Sequence, residues 1–334
     1  RHPDHWTSLA DLPLPAPRRD FDAVRADLLL AVGANPSDEA PTATVTDGVD
    51  AMRAAYRREL MLLAARDLAD STDVGIGAGE LAALAGAALE AGLAIARAQL
   101  GDVAGTARLA VIGMGKCGGL ELNYVSDVDV VFVADGDLDV ATSLATGTMR
   151  ACAEPSAEPP LWVVDAALRP EGKNGPLVRT VASHREYYER WAKTWEFQAL
   201  LKARPVAGDP ALGDEYVDAI RPLVWRASER DGFVTDVQAM RRRVEDHVPR
   251  KEAERNLKLG AGGLRDIEFA VQMLQLVHGR ADDSLRSRST LGGLAALISG
   301  GYVGREDGST LASSYRFLRT LEHRIQLHKL RRTH

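Results

Sequence analysis

Gly113-Met114-Gly115-Lys116-Cys117-Gly118-Gly119-Leu120-Glu121-Leu122-Asn123-Tyr124-Val125-Ser126-Asp127-Val128-Asp129-Val130-Val131-Phe132 joins a glycine-rich turn to two aspartates that open a β-branched run. Arg108 to Ile112, just upstream, is a short apolar run with the length and flanks of a buried strand, and Val128 to Ala134 reads as a second strand. On a strand, residues two apart share a face, so Asp127 and Asp129 project together, ~6.6 Å apart along the chain. Two like charges held side by side are unfavourable unless a cation lies between them, and hard carboxylate oxygens suit Mg²⁺ or Mn²⁺. Leu161 to Ala166 reads as a third strand. It carries Asp165 and is followed by Leu168-Arg169-Pro170. Three carboxylates on neighbouring strands can hold two divalent ions, the arrangement that clamps both oxygens of a phosphoryl or nucleotidyl transfer.

Taken alone, Asp-x-Asp is usually a solvated strand end. The glycine turn before it, with Lys116 inside and Ser126 beyond, favours phosphate, because such a turn exposes backbone N–H groups. The same turn fits the dinucleotide pattern Gly113-x-Gly115-x-x-Gly118 with an acid at Asp135, ~20 residues on. That reading leaves the aspartate pair unexplained and gives the crossover helix too little chain between Gly118 and Ser126. A Walker loop is excluded, because no Gly-Lys-Ser/Thr follows at the required gap.

Outward from this core the chain reads as helical. Helical spacing predicts helices over Phe21–Val32, Val49–Leu68 and roughly Gly79–Leu100, with linkers at Leu12–Pro17 and Gly33–Thr46. A fourth short strand is expected at Leu177–Thr180. After it, Ser183 with Glu186 reads as a capping box opening a helix that carries Tyr187, Trp191 and Trp195 and ends before Pro205. Further helices are expected at 211–220, 235–247, 264–279, 289–299 and 309–330. The 334 residues are 46% apolar and 26% charged with a net charge of −6, an ordinary globular balance that disfavours a general nucleic-acid binder. Two cysteines, Cys117 and Cys152, can form neither a disulfide framework nor a four-cysteine zinc site, which fits a reducing, cytoplasmic setting. Leu81–Ala96, the most apolar stretch, is too short to span a bilayer and is interrupted by Glu90, so no membrane partner is expected. No export leader is visible, and a chain that starts at Arg1 reads as a piece of something longer.

Four segments carry a family resemblance: Gly113 to Phe132, Asp165 to Val178, Trp191 to Arg204, and Lys258 to Phe269. In that order they resemble glutamine synthetase adenylyltransferase/adenylyl-removing enzyme, most closely its actinobacterial members. The resemblance implies an α+β fold, with a polymerase-β-like nucleotidyltransferase core (a small mixed sheet) embedded in helices and followed by a helical bundle. It divides the chain into a nucleotidyltransferase domain at 1–208, with its sheet core at about 105–182, and a helical bundle at 209–334. It also implies one of the family's two homologous catalytic halves. The motifs Asn123 to Asp127, Lys193 to Phe197 and the run ending at Arg204 look like the half that removes AMP from a tyrosine of glutamine synthetase, consuming phosphate and releasing ADP. The alternatives are the ATP-dependent adenylylating half, or a silent module that senses a PII-type signalling protein.

By that resemblance Asp127, Asp129 and Asp165 are the metal ligands for Mg²⁺ or Mn²⁺, two ions in all. Gly113, Gly115, Lys116, Gly118 and Ser126 form the phosphate-facing loop. Arg169 is either a clamp on phosphate or a structural salt-bridge partner. Arg265 and Glu268, with Gln272 and Gln275, form a polar stripe that is either solvated or turned to the nucleotide. Tyr187, Trp191 and Trp195 are expected in the core. Lys202 and Arg204 either face phosphate or complement a helix end. The run Arg241–Arg243 is expected to be solvated, and Cys117 to be a packing residue.

Overall fold

The computed structural model describes residues 2, 3, 5, 7, 18–70, 72–246 and 256–329. The expected linker at 12–17 therefore lies outside the described residues. Over the described chain the elements run α1 (Phe21–Ala31), α2 (Gly48–Asp70), α3 (Val74–Leu100), β1 (Ala107–Gly113), the single turn α4 (Gly115–Gly118), β2 (Val128–Gly136), α5 (Leu138–Ala153), β3 (Val164–Asp165) and β4 (Val178–Arg179). There follow α6 (Val181–Arg190), α7 (Thr194–Leu200), β5 (Arg204–Gly208), α8 (Pro210–Trp225), α9 (Phe233–Asp246), α10 (Leu264–His278), α11 (Thr290–Ser299) and α12 (Arg305–Lys329). The chain forms two compact units. One comprises Arg1–Leu122, Ser126–His184 and Arg204–Val217, and the other Asn123–Val125, Arg185–Ala203 and Asp218–His334.

The first unit holds a small mixed sheet ordered β3-β2-β1-β5, with β4 also pairing β2. β1 runs antiparallel to both β2 and β5, while β3 and β4 lie parallel to β2. β1 and β2 are almost wholly buried, which suits their near-continuous apolar sequence. β5 was not expected from the sequence, because Pro205 reads as a helix stop. In fact Pro205 sits in an edge strand, opposite Ile112 and beside a register shift, where a missing N–H is tolerated. α5 was also unexpected. Its start is set by Asp137, whose carboxylate accepts from the backbone N–H groups of Asp139 and Val140.

α3 is the central helix of this unit and packs against α1, α2, α5 and β5. The sequence reading underestimated its length. It is long and apolar enough to cross a membrane, and it is buried along almost its whole length. Its single mid-helix acid, Glu90, is buried and accepts a 2.6 Å hydrogen bond from the N–H of Gly208 at the end of β5, with Arg25 and Arg97 as ion-pair neighbours. An apolar cluster of Val24, Leu28, Met52, Tyr56, Leu84 and Ile95 completes this core.

The second unit packs Leu264, Ile267, Val271, Leu294, Leu297 and Tyr315 into its own core. The expected single helix over 183–204 is broken. α6 is capped by Thr180, whose hydroxyl accepts from Ser183 N–H, so Ser183 is not the cap. The helix ends at Arg190, where the N–H groups of Trp191 and Ala192 both turn back to the Tyr187 carbonyl, and Arg230 donates to the carbonyl of Ala192 at 2.6 Å just beyond. α7 then starts with Glu196 accepting from the Lys193 N–H. Trp191, expected in the core, is 71% exposed at this break, and Tyr188 is the aromatic that is buried.

Candidate functional site

β1 ends at Gly113, and the chain turns through Met114 into α4. Two contacts force glycine here. A side chain at Gly113 would come within 2.7 Å of Val206 on β5. Gly115 has φ +49°, and a Cβ there would sit 2.3 Å from Oδ2 of Asp129. The turn is tied to β2 by Met114 N–H donating to the Asp129 carbonyl at 2.8 Å. It is tied to β5 by Arg204, whose guanidinium donates to the carbonyls of Cys117 and Gly118. Arg204 is therefore a staple of the glycine turn, placed on a strand rather than at a helix end. Only the unexpected β5 made that role visible.

Asp129 lies on β2 and Asp165 on β3, and the parallel register pairs them directly. Neighbouring strands are about 4.8 Å apart, so the two carboxylates leave the same face from adjacent positions. Two charges at that spacing repel by roughly 3 kcal/mol at an effective dielectric of ~20, a cost that a bound cation reverses in sign. Asp127 stands just before β2, where Val128 N–H already donates to the Val163 carbonyl at 3.0 Å. Asp127, Asp129, Ser126 and Lys116 are all half-buried. Oδ1 of Asp165 accepts from Ala167 N–H at 2.8 Å, a turn that ends the strand and fixes the carboxyl's direction. Among the described residues no three His, Cys, Asp or Glu side chains converge into a ready metal cage. These carboxylates offer oxygen donors only, and Asp129 faces the glycine turn, which fits a hard divalent cation.

Arg169 is reassigned by the geometry. Its Nε donates to the carbonyls of Gly175 and Pro176, Nη1 to Ala166 and Nη2 to Lys173. All three nitrogens thus serve the backbone of its own loop, so it staples the segment after Asp165. Burial lowers its pKa, and nearby Asp165 opposes that shift. Cys117 is buried inside the turn and its thiol is pushed up to about 12 by that burial, consistent with a packing role.

Arg265 and Glu268 belong to the second unit, on α10, where they form a 3.4 Å ion pair. The polar stripe of that helix is not solvated, since Glu268, Gln272 and Gln275 are buried. Gln272 accepts from Gln198 at 2.8 Å, and Gln275 donates to the carbonyls of Leu285 and Ser287. Arg241 likewise is not solvated: it pairs with Asp266, whose other oxygen accepts from Gly262 N–H.

This helix-rich architecture, with paired aspartates on a small mixed sheet beneath a glycine turn, is consistent with a nucleotidyltransferase-like domain. Residues 1–218 match the glutamate-ammonia ligase adenylyltransferase family, and the chain belongs to that family of nucleotidyltransferase enzymes. Residues 238–334 match GlnD PII-uridylyltransferase. The chain is 62% identical to the bifunctional glutamine synthetase adenylyltransferase/adenylyl-removing enzyme of Streptomyces coelicolor, over 87% of this chain and 30% of that protein. It is 51% identical to the enzyme of the same description from Mycolicibacterium smegmatis, over all of this chain and 33% of that protein. For that of Mycobacterium tuberculosis the identity is 56% over 86% of this chain and 29% of that protein. The chain thus spans about a third of the length of these relatives.

Proposed function

We propose that this chain carries a polymerase-β-like nucleotidyltransferase site that removes AMP from an adenylylated tyrosine of glutamine synthetase by phosphorolysis. The observation that carries the reading is the in-register pairing of Asp129 with Asp165 on parallel strands, facing the glycine turn at Gly115. Asp127, Asp129 and Asp165 would hold Mg²⁺ or Mn²⁺. The bound cation supplies neutralisation of the transferred phosphoryl group and of the leaving oxygen. Gly113, Gly115, Lys116, Gly118 and Ser126 line the face that receives phosphate, with Lys116 adding positive charge. A phosphate oxygen forms a new bond to the α-phosphorus as the phosphorus–tyrosine oxygen bond breaks. ADP departs, and the tyrosine oxygen takes a proton from solvent. A phenol of pKa ~10 is a tolerable leaving group under such stabilisation, and an already anionic phosphate needs little general-base help. Arg169 and Arg204 position the two loops and do not touch substrate. Arg265 and Glu268 pair with each other on α10 of the second unit and are given no role here. A cytoplasmic setting and a PII-type partner belong to the same reading, the latter supported by the match over 238–334.

The test is ADP release from adenylylated glutamine synthetase with phosphate and Mg²⁺, run beside ATP-dependent adenylylation of the unmodified synthetase. The expected result is phosphate-dependent release that Asp129→Asn abolishes. Full activity in Asp129→Asn removes the metal-ligand assignment. ATP-dependent transfer without phosphorolysis assigns the other half-reaction.

A further inference from the structure

Within the first unit, the loop 166–177 leaves β3 at Asp165 and returns on β4 at Val178. Both short strands run parallel to β2, with Asp165 opposite Asp129 and Arg179 opposite Val133. Residues four apart on β2 share a face, so Arg179 leaves the sheet on the face of the two aspartates, ~13 Å further along β2. An arginine side chain spans ~7 Å, so the guanidinium can reach to within about one phosphoryl group of the carboxylates. Its Nη2 donates to the carboxylate of Glu171 in the loop, and its Nη1 to the Ser183 hydroxyl at 3.2 Å. Burial lowers the pKa of Arg169, with Asp165 opposing and Arg179 adding to the shift, so that guanidinium lies within electrostatic range of both. Two cations this close call for an anion, and Glu171 supplies one. Yet Glu171 is an odd residue for a purely structural pair. Among the described residues only it and Leu120 are non-glycine with positive φ, at +63° for Glu171. That conformation costs an L-residue backbone energy. The Glu171 side chain is 53% exposed, so burial does not offset the cost and solvent screens its ion pair, whereas the Arg179 side chain is only 16% exposed.

We propose that Arg179 binds the attacking phosphate on the face of Asp129 and Asp165, and that the carboxylate of Glu171 is the group which incoming phosphate displaces from it. The inference rests on the proposed phosphorolysis and deepens it by naming the residue that holds the nucleophile. The donors of Arg169 all serve carbonyls of its own loop. Arg179 instead holds a side chain on a solvent-facing loop, which can swing away without breaking the backbone of the turn. Its planar guanidinium matches two phosphate oxygens, and a phosphate dianion competes well against one half-exposed carboxylate.

The experiment takes two readouts: ADP release against phosphate concentration at fixed Mg²⁺ and saturating adenylylated glutamine synthetase, and thermal stabilisation of the chain by inorganic phosphate with Mg²⁺. Glu171→Gln removes the competing ion pair and should lower the phosphate KM about 5-fold. Arg179→Met should raise it about 30-fold, the loss of a charge-assisted pair. Arg179→Lys should fall between wild type and Arg179→Met, because an ammonium keeps the charge without the fork. The KM for the adenylylated synthetase should not move in any of them, and stabilisation by phosphate should follow the same ranking. The control Glu186→Gln removes an equal charge from an exposed pair with Arg190 and should move neither readout. A native phosphate KM in Arg179→Met overturns the proposal. So does an unchanged or raised KM in Glu171→Gln, which would make Glu171 a support for Arg179 and not a competitor of phosphate. Should Arg179→Met fail to fold, Arg179→Lys and Glu171→Gln decide between the same outcomes. Stabilisation by phosphate in the expected ranking, without ADP release, overturns phosphorolysis and leaves the phosphate site standing. ADP release without that ranking overturns the phosphate site and leaves phosphorolysis standing.

Discussion

Replacing Gly115 by alanine separates backbone strain from displacement of a single carboxylate. Gly115 has φ +49°, and an added Cβ would lie 2.3 Å from Oδ2 and 3.2 Å from Cγ of Asp129. An ordinary contact is about 3.4 Å or more, so the carboxylate must retreat by about 1 Å from the turn, out of its present place beside Asp165. The left-handed backbone alone costs an alanine about 1–2 kcal/mol. Gly301 supplies the control, because it has φ +77° with nothing within 4 Å of its would-be Cβ. Both variants should lose about 1–2 kcal/mol in urea unfolding. Only Gly115→Ala should also lose about 100-fold in phosphorolysis at saturating phosphate, the cost of a 1 Å misplacement. Equal rates for the two variants, at equal stability, would refute the claim that Asp129 acts from its present position against the glycine turn.

Other outcomes follow from the same geometry. Arg169→Lys cannot reach the four carbonyls that the guanidinium serves. Amide exchange over 166–176 should therefore rise about 30-fold, or about 2 kcal/mol locally, and unchanged exchange would contradict the staple. His184 is buried with Nδ1 on the Thr180 carbonyl and its ring edge-on to Tyr216, and burial holds its pKa down to about 4. In the unfolded chain it titrates near ~6.5, so between pH 6.5 and 4 the unfolded state binds the proton first and stability falls with falling pH. The loss should total about 3 kcal/mol, with no His184 contribution above pH 6.5, and His184→Phe should flatten that part of the curve. Cys117 and Cys152 are buried with thiols pushed up to about 12, so neither should react with an aromatic disulfide at pH 8 until the chain is unfolded. Rapid labelling of the native chain would show that the turn around Cys117 opens.

Period-two and helical patterns are local, which is why β1, β2 and most helices were legible. The two short strands after β2 could also be placed, because β-branched residues flank them. β5 and α5 were not legible. A proline inside a five-residue strand looks like a stop, and its pairing partner lies almost a hundred positions away in β1. The break at Trp191 was equally hidden, since an arginine from 38 residues downstream holds the Ala192 carbonyl in the turn. Among the candidate site residues, the chemical type of Asp127, Asp129 and Asp165 was readable, and so was the glycine turn. The duties of Arg169 and Arg204 were not, because a guanidinium is equally suited to phosphate and to carbonyl oxygens.

The order of residues by itself determined which groups could do chemistry: acids two apart at a strand entrance, a turn without side chains before them, and a third acid on a later strand. Tertiary structure alone decided that Asp165 lies beside Asp129 in parallel register, and that Arg169 and Arg204 hold backbone. It also decided that Asn123–Val125 leans on a helix some two hundred residues away. The physical reason is that side-chain type is a covalent property, whereas register and hydrogen-bond partnership are set by which distant surfaces bury one another.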